Sequence, residues 1–156
     1  MATEIGILAV RRSILIKAPP ERVWQEFETF DRMHAWFGTG HRLLTYEPRV
    51  GGQVLLEVDH EGRPLQYGGP VLVFDPSREL TFESDWIPSQ GWLEPTLVTI
   101  RLAGVLGGTL VELFHHAIER VGEDAAEQHA GFEAGWTTRH LEALRAIVEG
   151  DAVRAG

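Results

Sequence analysis

The chain has 156 residues, of which 44% are hydrophobic and 24% are charged, and it contains no cysteine. This length favours one domain, because a chain of this size buries roughly 68–70% of its unfolded surface and needs no disulfide or structural metal. A chain without cysteine has no disulfide scaffold, thiolate zinc site or cysteine nucleophile. The formal net charge of -9 argues against nucleic acids and anionic membrane surfaces as partners, since both attract cationic side chains.

The chain shows no sign of export or of membrane insertion. No apolar run reaches the roughly 20 residues of a membrane span, and the N-terminus lacks the basic and then apolar order of a signal peptide. We therefore expect a cytoplasmic protein. No linker divides the chain, so we expect one domain over residues 1–156, with its core over about 9–149 and a tail over 150–156.

The first predicted elements are a strand and two short helices. Alternating apolar and polar residues over 9–17 predict a half-buried strand, which ends at Pro19 and Pro20. Val23, Trp24 and Phe27 follow at helical spacing and predict a short helix that begins with proline. Residues 31–37 predict a second short helix before the next glycine.

Six further strands and a terminal helix follow. Turn residues separate segments of strand length at 41–48, 53–59, 65–74, 79–86, 96–102 and 109–117. From about Asp124 to Val148 the apolar period becomes helical, which predicts one long amphipathic helix. This order predicts an α+β fold in which an antiparallel sheet packs against the last helix.

Four short motifs give the chain a resemblance to a known family. They are APPERVW at 18–24, Gly51-Gly52, Asp75-Pro76 with Leu80, and Gly135-Trp136. In this order they resemble the SRPBCC superfamily (START-like, birch-pollen-allergen-like), and within it the bacterial branch named after the activator of the heat-shock-protein-ninety ATPase. The resemblance implies a helix-grip fold, in which a seven-stranded antiparallel sheet curls around a long C-terminal helix, with two short helices after the first strand. It also implies an apolar cavity between sheet and helix.

One position departs from the family pattern. The family commonly has a leucine four residues after the helix tryptophan, whereas this chain has His140 there and Leu141 next. Either the helix rolls slightly or a polar group enters the cavity. The same helix face also carries His129, Glu133 and Thr137. A buried polar group without a partner costs about 1–3 kcal/mol. The alternative is that the sheet ends before the helix does, which leaves His129 and Glu133 exposed to water at the rim of the cavity.

The last strand offers a partner for these polar residues. Alternation points His115 inward with Val111 and Leu113, toward the helix region that holds Glu133 and His140. A carboxylate close to an imidazole is a common general base. If the protein is an enzyme, we expect Glu133 or His115 as the base and His140 as the donor. The alternative is a core histidine that bonds Tyr, Thr or the backbone.

Binding of a small hydrophobic ligand, aromatic or polyketide-like, is the function that the resemblance and the aromatic residues favour. The alternatives are a cyclase, dehydratase or hydrolase acting in the same cavity, and a co-chaperone-like interaction module. No cofactor or metal is expected. Among the remaining histidines, we expect His34 near the mouth of the cavity and His41, His60 and His116 outside it. The predicted ligand-binding residues are Trp36, Phe37, Trp86, Trp92, His115, Phe132, Trp136, Thr137 and His140.

The outer face of the last strand carries Leu110 and Phe114. These two residues are candidates for a homodimer contact. The alternative is the ordinary scatter of apolar residues over a protein surface.

Overall fold

The computed structural model describes residues 3–155, and the side chains of residues 3–150. In this range seven strands form one antiparallel sheet in the order β1-β7-β6-β5-β4-β3-β2. The strands are β1 (Val10–Ile16), β2 (Arg42–Tyr46), β3 (Gln53–His60), β4 (Arg63–Asp75), β5 (Glu79–Ile87), β6 (Thr96–Val105) and β7 (Gly108–His116). The helices are α1 (Pro20–Trp24), α2 (Phe30–Phe37), α3 (Ala125–Gly135) and α4 (Arg139–Ala155), with 3-10 turns at Gln25–Phe27 and Ile118–Val121.

The sheet curls around α4, so the predicted helix-grip architecture is confirmed. The apolar side of α4 contributes Leu141, Leu144 and Val148, all of which are buried. They belong to one core with the inward residues of the sheet, among them Phe82 and Leu113. This core excludes water because inward residues alternate along each strand while α4 presents every third or fourth side chain.

The C-terminal helical region differs from the sequence prediction in one respect. Residues 124–148 form two helices instead of one, because Trp136 has an extended backbone (φ -79°, ψ 129°). The amide of Trp136 still donates to the carbonyl of Phe132, which ends α3, and the Glu142 amide donates to the carbonyl of Thr138, which begins α4. The helix α4 then continues through residue 155, over most of the predicted tail, and Gly156 lies outside the described residues.

An arginine of β1 holds the end of α3. The Arg12 guanidinium donates to the carbonyl oxygens of Glu133, at 2.9 Å, and of Trp136, at 3.2 Å. The last carbonyls of a helix lack intrahelical partners, and a cationic donor satisfies them. On the same side, Nε2 of His129 donates to the carbonyl of Ala9, at 3.0 Å. These bonds fix α3 across one end of the curled sheet.

Candidate functional site

A cavity of about 510 Å³ lies between the sheet, α3 and the start of α4. This volume falls within the range of about 300–1,000 Å³ that is usual for small-molecule sites. Seven of the nine predicted ligand-binding residues lie in its wall: Trp86, Trp92, His115, Phe132, Trp136, Thr137 and His140. Their contact with a ligand stays a prediction.

The aromatic side chains of the wall form a continuous series of contacts. The ring of Tyr67 lies 5.5 Å from that of Trp86, and Trp86 lies 6.5 Å from Trp92. Trp92 lies 6.2 Å from Phe132, which packs 4.0 Å from His115. Edge-to-face and tilted pairs at these distances stabilise one another beyond the burial of their area. The result is a continuous aromatic surface that reaches from β4 across to α3.

His115 lies within this wall and has a partner on both ring nitrogens. The indole N–H of Trp136 donates to Nδ1, at 2.9 Å, and Nε2 lies 2.7 Å from the Thr96 hydroxyl. Because an indole N–H only donates, Nδ1 carries no proton and Nε2 donates to Thr96. Thr96 in turn donates to the carbonyl of Ser84, at 2.8 Å. Burial lowers the pKa of His115 to about 3, so it is neutral and has no free lone pair for a general base.

His140 lies in the wall as well, so a polar group does enter the cavity at the position where the family commonly has leucine. Leu141 takes the place in the core and is 1% exposed. The His140 ring stacks on His41, with centroids 4.8 Å apart and planes at 14°. Its Nδ1 is buried and has no hydrogen-bond partner among the described residues. Burial, and then the neighbouring His41, lower the pKa of His140 to about 4.

Glu133 does not join these histidines, and the expectation that it lies beside them is wrong. Its side chain is 52% exposed and lies 3.3 Å from the Arg12 guanidinium, outside the cavity wall. The free carbonyl oxygens at the end of α3 accept hydrogen bonds from Arg12 and hold it at this position. The Glu133 carboxylate pairs with Arg12 there, and therefore lies outside the cavity. The structure therefore does not assemble the predicted acid–base group of Glu133, His115 and His140.

Trp36 and Phe37 also lie outside the cavity wall, contrary to expectation. Both belong to α2 and are fully buried in the core. The Trp36 indole donates to the carbonyl of Glu26, at 3.0 Å. The prediction placed both residues on the second helix at the mouth of the cavity, but α2 turns this pair toward the core. Phe37 supports the cavity from behind, with its ring 5.7 Å from His140.

Sequence reasoning missed several residues of the wall, among them Tyr67 and two histidines that were expected outside the cavity. His41, expected outside, lies in the wall beside Tyr67, and its Nδ1 is 2.5 Å from the tyrosine oxygen. His60 also reaches the wall, whereas His34 is exposed and stacks on Phe30 instead of lining the mouth. The sequence around His41 does not indicate its place in the wall, because its partner Tyr67 lies 26 residues away.

On the outer face of β7, the apolar surface that is exposed differs from the one predicted for a homodimer contact. Phe114 is 8% exposed, because the guanidinium groups of Arg11 and Arg101 lie 5.9 and 5.5 Å from its ring centre. Leu110 is half-buried opposite Leu15, which is 48% exposed. The homodimer contact stays a prediction, and Leu15 belongs to the surface that would make it. Within residues 3–155, no helix is both long and apolar enough to cross a membrane.

Comparison with known proteins assigns the family. A family model described as "Activator of Hsp90 ATPase homolog 1-like protein" matches residues 17–149. The chain belongs to this family. Family membership accounts for the helix-grip architecture, and it leaves the ligand undefined because one fold serves many functions. No curated protein matches the chain.

Solved structures share the fold of this family member at low sequence identity. Protein CV1439 from Chromobacterium violaceum is 24% identical with a TM-score of 0.69, over 91% of this chain and 97% of that one. The Aha1 dimer from Colwellia psychrerythraea is 18% identical with a TM-score of 0.59, over 92% and 97%. DynU16, described as a putative protein in the dynemicin biosynthetic locus, is 19% identical with a TM-score of 0.64, over 91% of this chain and 47% of that one.

Proposed function

We propose that the protein binds a small, mainly hydrophobic ligand with an aromatic ring system in the cavity between the sheet and α3. The observation that carries the proposal is the aromatic wall of a cavity of about 510 Å³. Aromatic side chains provide a large contact area and lose little conformational entropy on binding. The relative DynU16 is described as a protein of a biosynthetic locus, which is consistent with a metabolite as the ligand.

The polar groups of the wall also favour a binding role. His115 bonds Trp136 and Thr96 and keeps its proton on Nε2, so it positions the aromatic residues around it. An enzyme that uses Glu133 is not proposed, because that carboxylate pairs with Arg12 outside the cavity. The co-chaperone-like role stays a prediction.

Thermal denaturation in the presence of aromatic and aliphatic probes tests the proposal. We expect naphthalene and related bicyclic aromatics to stabilise the protein, by about 2.7 kcal/mol at one hundred times the dissociation constant. Binding should also quench tryptophan fluorescence, because Trp86, Trp92 and Trp136 line the cavity. Cyclohexane, which is neutral and not aromatic, serves as the aliphatic comparison and should stabilise the protein less.

A matched pair of glycine variants separates cavity binding from surface binding. Gly131 of α3 lines the cavity, and a Cβ there has open space. We expect Gly131→Leu to fill part of the cavity and weaken naphthalene binding at least tenfold. Gly150 is a helical glycine of α4 with equally open space, outside the cavity wall, so Gly150→Leu should bind as the unmodified protein does. Equal weakening by both variants, or no aromatic probe that binds, would contradict the proposal.

A further inference from the structure

Tyr67 lies at one end of the cavity wall with part of its hydrogen-bonding capacity unused. Its hydroxyl oxygen is 2.5 Å from Nδ1 of His41, and Nε2 of His41 is 2.7 Å from the carbonyl oxygen of Phe37. All three groups thus form one chain from the backbone of α2 to the cavity. The direction of each bond in this chain follows from the chemistry of its ends.

The Phe37 carbonyl can only accept, so Nε2 of His41 carries the proton and donates it. A neutral imidazole has one proton, which leaves Nδ1 with a lone pair alone. Burial lowers the pKa of His41 to about 4, in keeping with the neutral ring. Tyr67 must therefore be the donor in its bond to Nδ1. The phenol oxygen then keeps its acceptor lone pairs, and no donor among the described residues reaches them.

The charges around the cavity favour a neutral ligand. The wall contains one carboxylate, Asp85, and one guanidinium, Arg139, so the formal charges of these two residues cancel. Asp85 already accepts from the Trp86 amide and the Ser89 hydroxyl. A charged ligand would lose its hydration without a buried partner of opposite charge, and such desolvation is costly. The donor that Tyr67 lacks is therefore best supplied by a neutral hydroxyl group.

His140 adds a second incomplete group at the same end. It is 7% exposed, it stacks on His41, and its Nδ1 has no partner among the described residues. A carbonyl or an indole fixes the proton position in His41 and in His115, whereas no described partner fixes it in His140. This end of the cavity thus has an acceptor without a donor beside an imidazole whose polar groups are not all satisfied.

We propose that the ligand is a neutral hydroxylated aromatic compound, and that its hydroxyl group donates a hydrogen bond to the phenol oxygen of Tyr67. This inference rests on the proposed binding function and adds the chemical class of the ligand. The ring system would lie on the aromatic wall and the hydroxyl group at the end formed by His41, Tyr67 and His140.

A series of naphthalene probes tests the inference on the unmodified protein. Dissociation constants at neutral pH are measured by calorimetry for naphthalene, 2-naphthol, 2-methoxynaphthalene and 2-naphthoate. These probes share one ring system and differ in donor, acceptor and charge. We expect 2-naphthol to bind about tenfold more tightly than 2-methoxynaphthalene, since only the naphthol donates to an acceptor that otherwise stays unpaired.

The two tyrosines of the chain provide the variant and its control. Tyr67→Phe keeps the ring and removes the acceptor, so we expect the preference for 2-naphthol over 2-methoxynaphthalene to disappear. Tyr46 donates to the carbonyl of Phe27 in the core, at 2.6 Å, and lies outside the cavity wall. Tyr46→Phe removes a buried phenol oxygen there and should leave the preference unchanged.

The outcomes separate this inference from the proposed function. Equal affinity for 2-naphthol and 2-methoxynaphthalene, tightest binding of 2-naphthoate, or a preference that survives Tyr67→Phe would overturn the inference while naphthalene binding still supports the proposed function. If none of the four probes binds, both fail. A naphthol preference that Tyr67→Phe removes and Tyr46→Phe retains supports the inference.

Discussion

Partners that can only donate or only accept determine where the protons lie in the cavity wall. The Trp136 indole removes the free lone pair of His115, and the Phe37 carbonyl leaves His41 with a lone pair for Tyr67. Two neutral histidines of the same wall thus have different chemical roles. His115 is a structural link between α3 and the sheet, whereas His41 orients a tyrosine toward the cavity.

The structural role of His115 predicts the effect of removing its donor. Trp136→Phe keeps an aromatic ring and leaves Nδ1 of His115 buried without a partner. We expect the free energy of unfolding in urea near pH 7.5 to fall by about 1–3 kcal/mol, the cost of an unsatisfied buried group. Trp92 lines the same cavity, and no side-chain hydrogen bond of the described residues involves its indole, so Trp92→Phe is the control. Equal losses in the two variants would show that ring size alone matters.

The division of the C-terminal helical region into α3 and α4 has local causes. Gly135 ends α3, the Thr137 hydroxyl accepts from the Arg139 amide, and the Thr138 hydroxyl contacts the Glu142 carboxylate. Glycine at a helix end and threonine before a helix start are recognised signals. The sequence therefore contains the break, although the continuous apolar period across Phe132 and Trp136 concealed it. The break turns both side chains into the cavity wall.

The position of α3 depends on Arg12, which predicts an effect confined to one element. We expect Arg12→Met to speed hydrogen exchange of the α3 amides about fivefold or more, because two carbonyl oxygens lose a charged donor. Arg11 is the neighbour on β1, and it pairs with Glu112 on the opposite face. Arg11→Met should leave α3 exchange unchanged. Uniformly faster exchange in both variants would contradict a specific role for Arg12.

Four histidines are neutral in the folded protein, three of them buried and His41 half-buried, and together they make the stability of the whole molecule depend on pH. Burial lowers the pKa of His115 to about 3, and those of His41, His116 and His140 to about 4. His116 lies outside the cavity, as expected, but its Nδ1 accepts from the Gly6 amide and it is fully covered. In the unfolded chain these side chains return to the ordinary pKa of 6.5.

The sign of the effect follows from these directions. Above about pH 6.5 the histidines are neutral in both states, and their contribution to stability is complete. Between about pH 6.5 and 4 only the unfolded chain binds protons, so the free energy of unfolding falls as the pH falls. Each such histidine contributes a slope of about 1.4 kcal/mol per pH unit.

Urea unfolding at several pH values measures this slope. We expect an uptake of about 3.5 protons on unfolding near pH 5.5, since each of the four histidines is about 90% protonated in the unfolded chain at this pH. His116→Gln should reduce the uptake by about one proton, because it removes one of the four histidines. A free energy of unfolding that is constant from about pH 6.5 to 5 would contradict the neutral state of the buried histidines.

The sequence by itself determined the order of elements and the core. Strand alternation, turn residues and the helical period of Leu141, Leu144 and Val148 are local signals, and they are strong because each repeats along an element. The motif resemblance then supplied the curled sheet. Trp36 was misplaced although its helix was predicted, because the side of a short helix that faces the core depends on tertiary packing.

Only the tertiary structure decided which polar side chains meet. His41 forms a hydrogen bond with Tyr67, 26 residues away, and Trp136 forms one with His115, 21 residues away. Arg12 pairs with Glu133, 121 residues away, and holds its carboxylate outside the cavity. A residue type shows what a side chain can donate or accept, but not which partner the folded chain brings within about 3 Å. The aromatic cavity was thus predictable from the sequence, whereas the proton positions that give its polar end a preference were not.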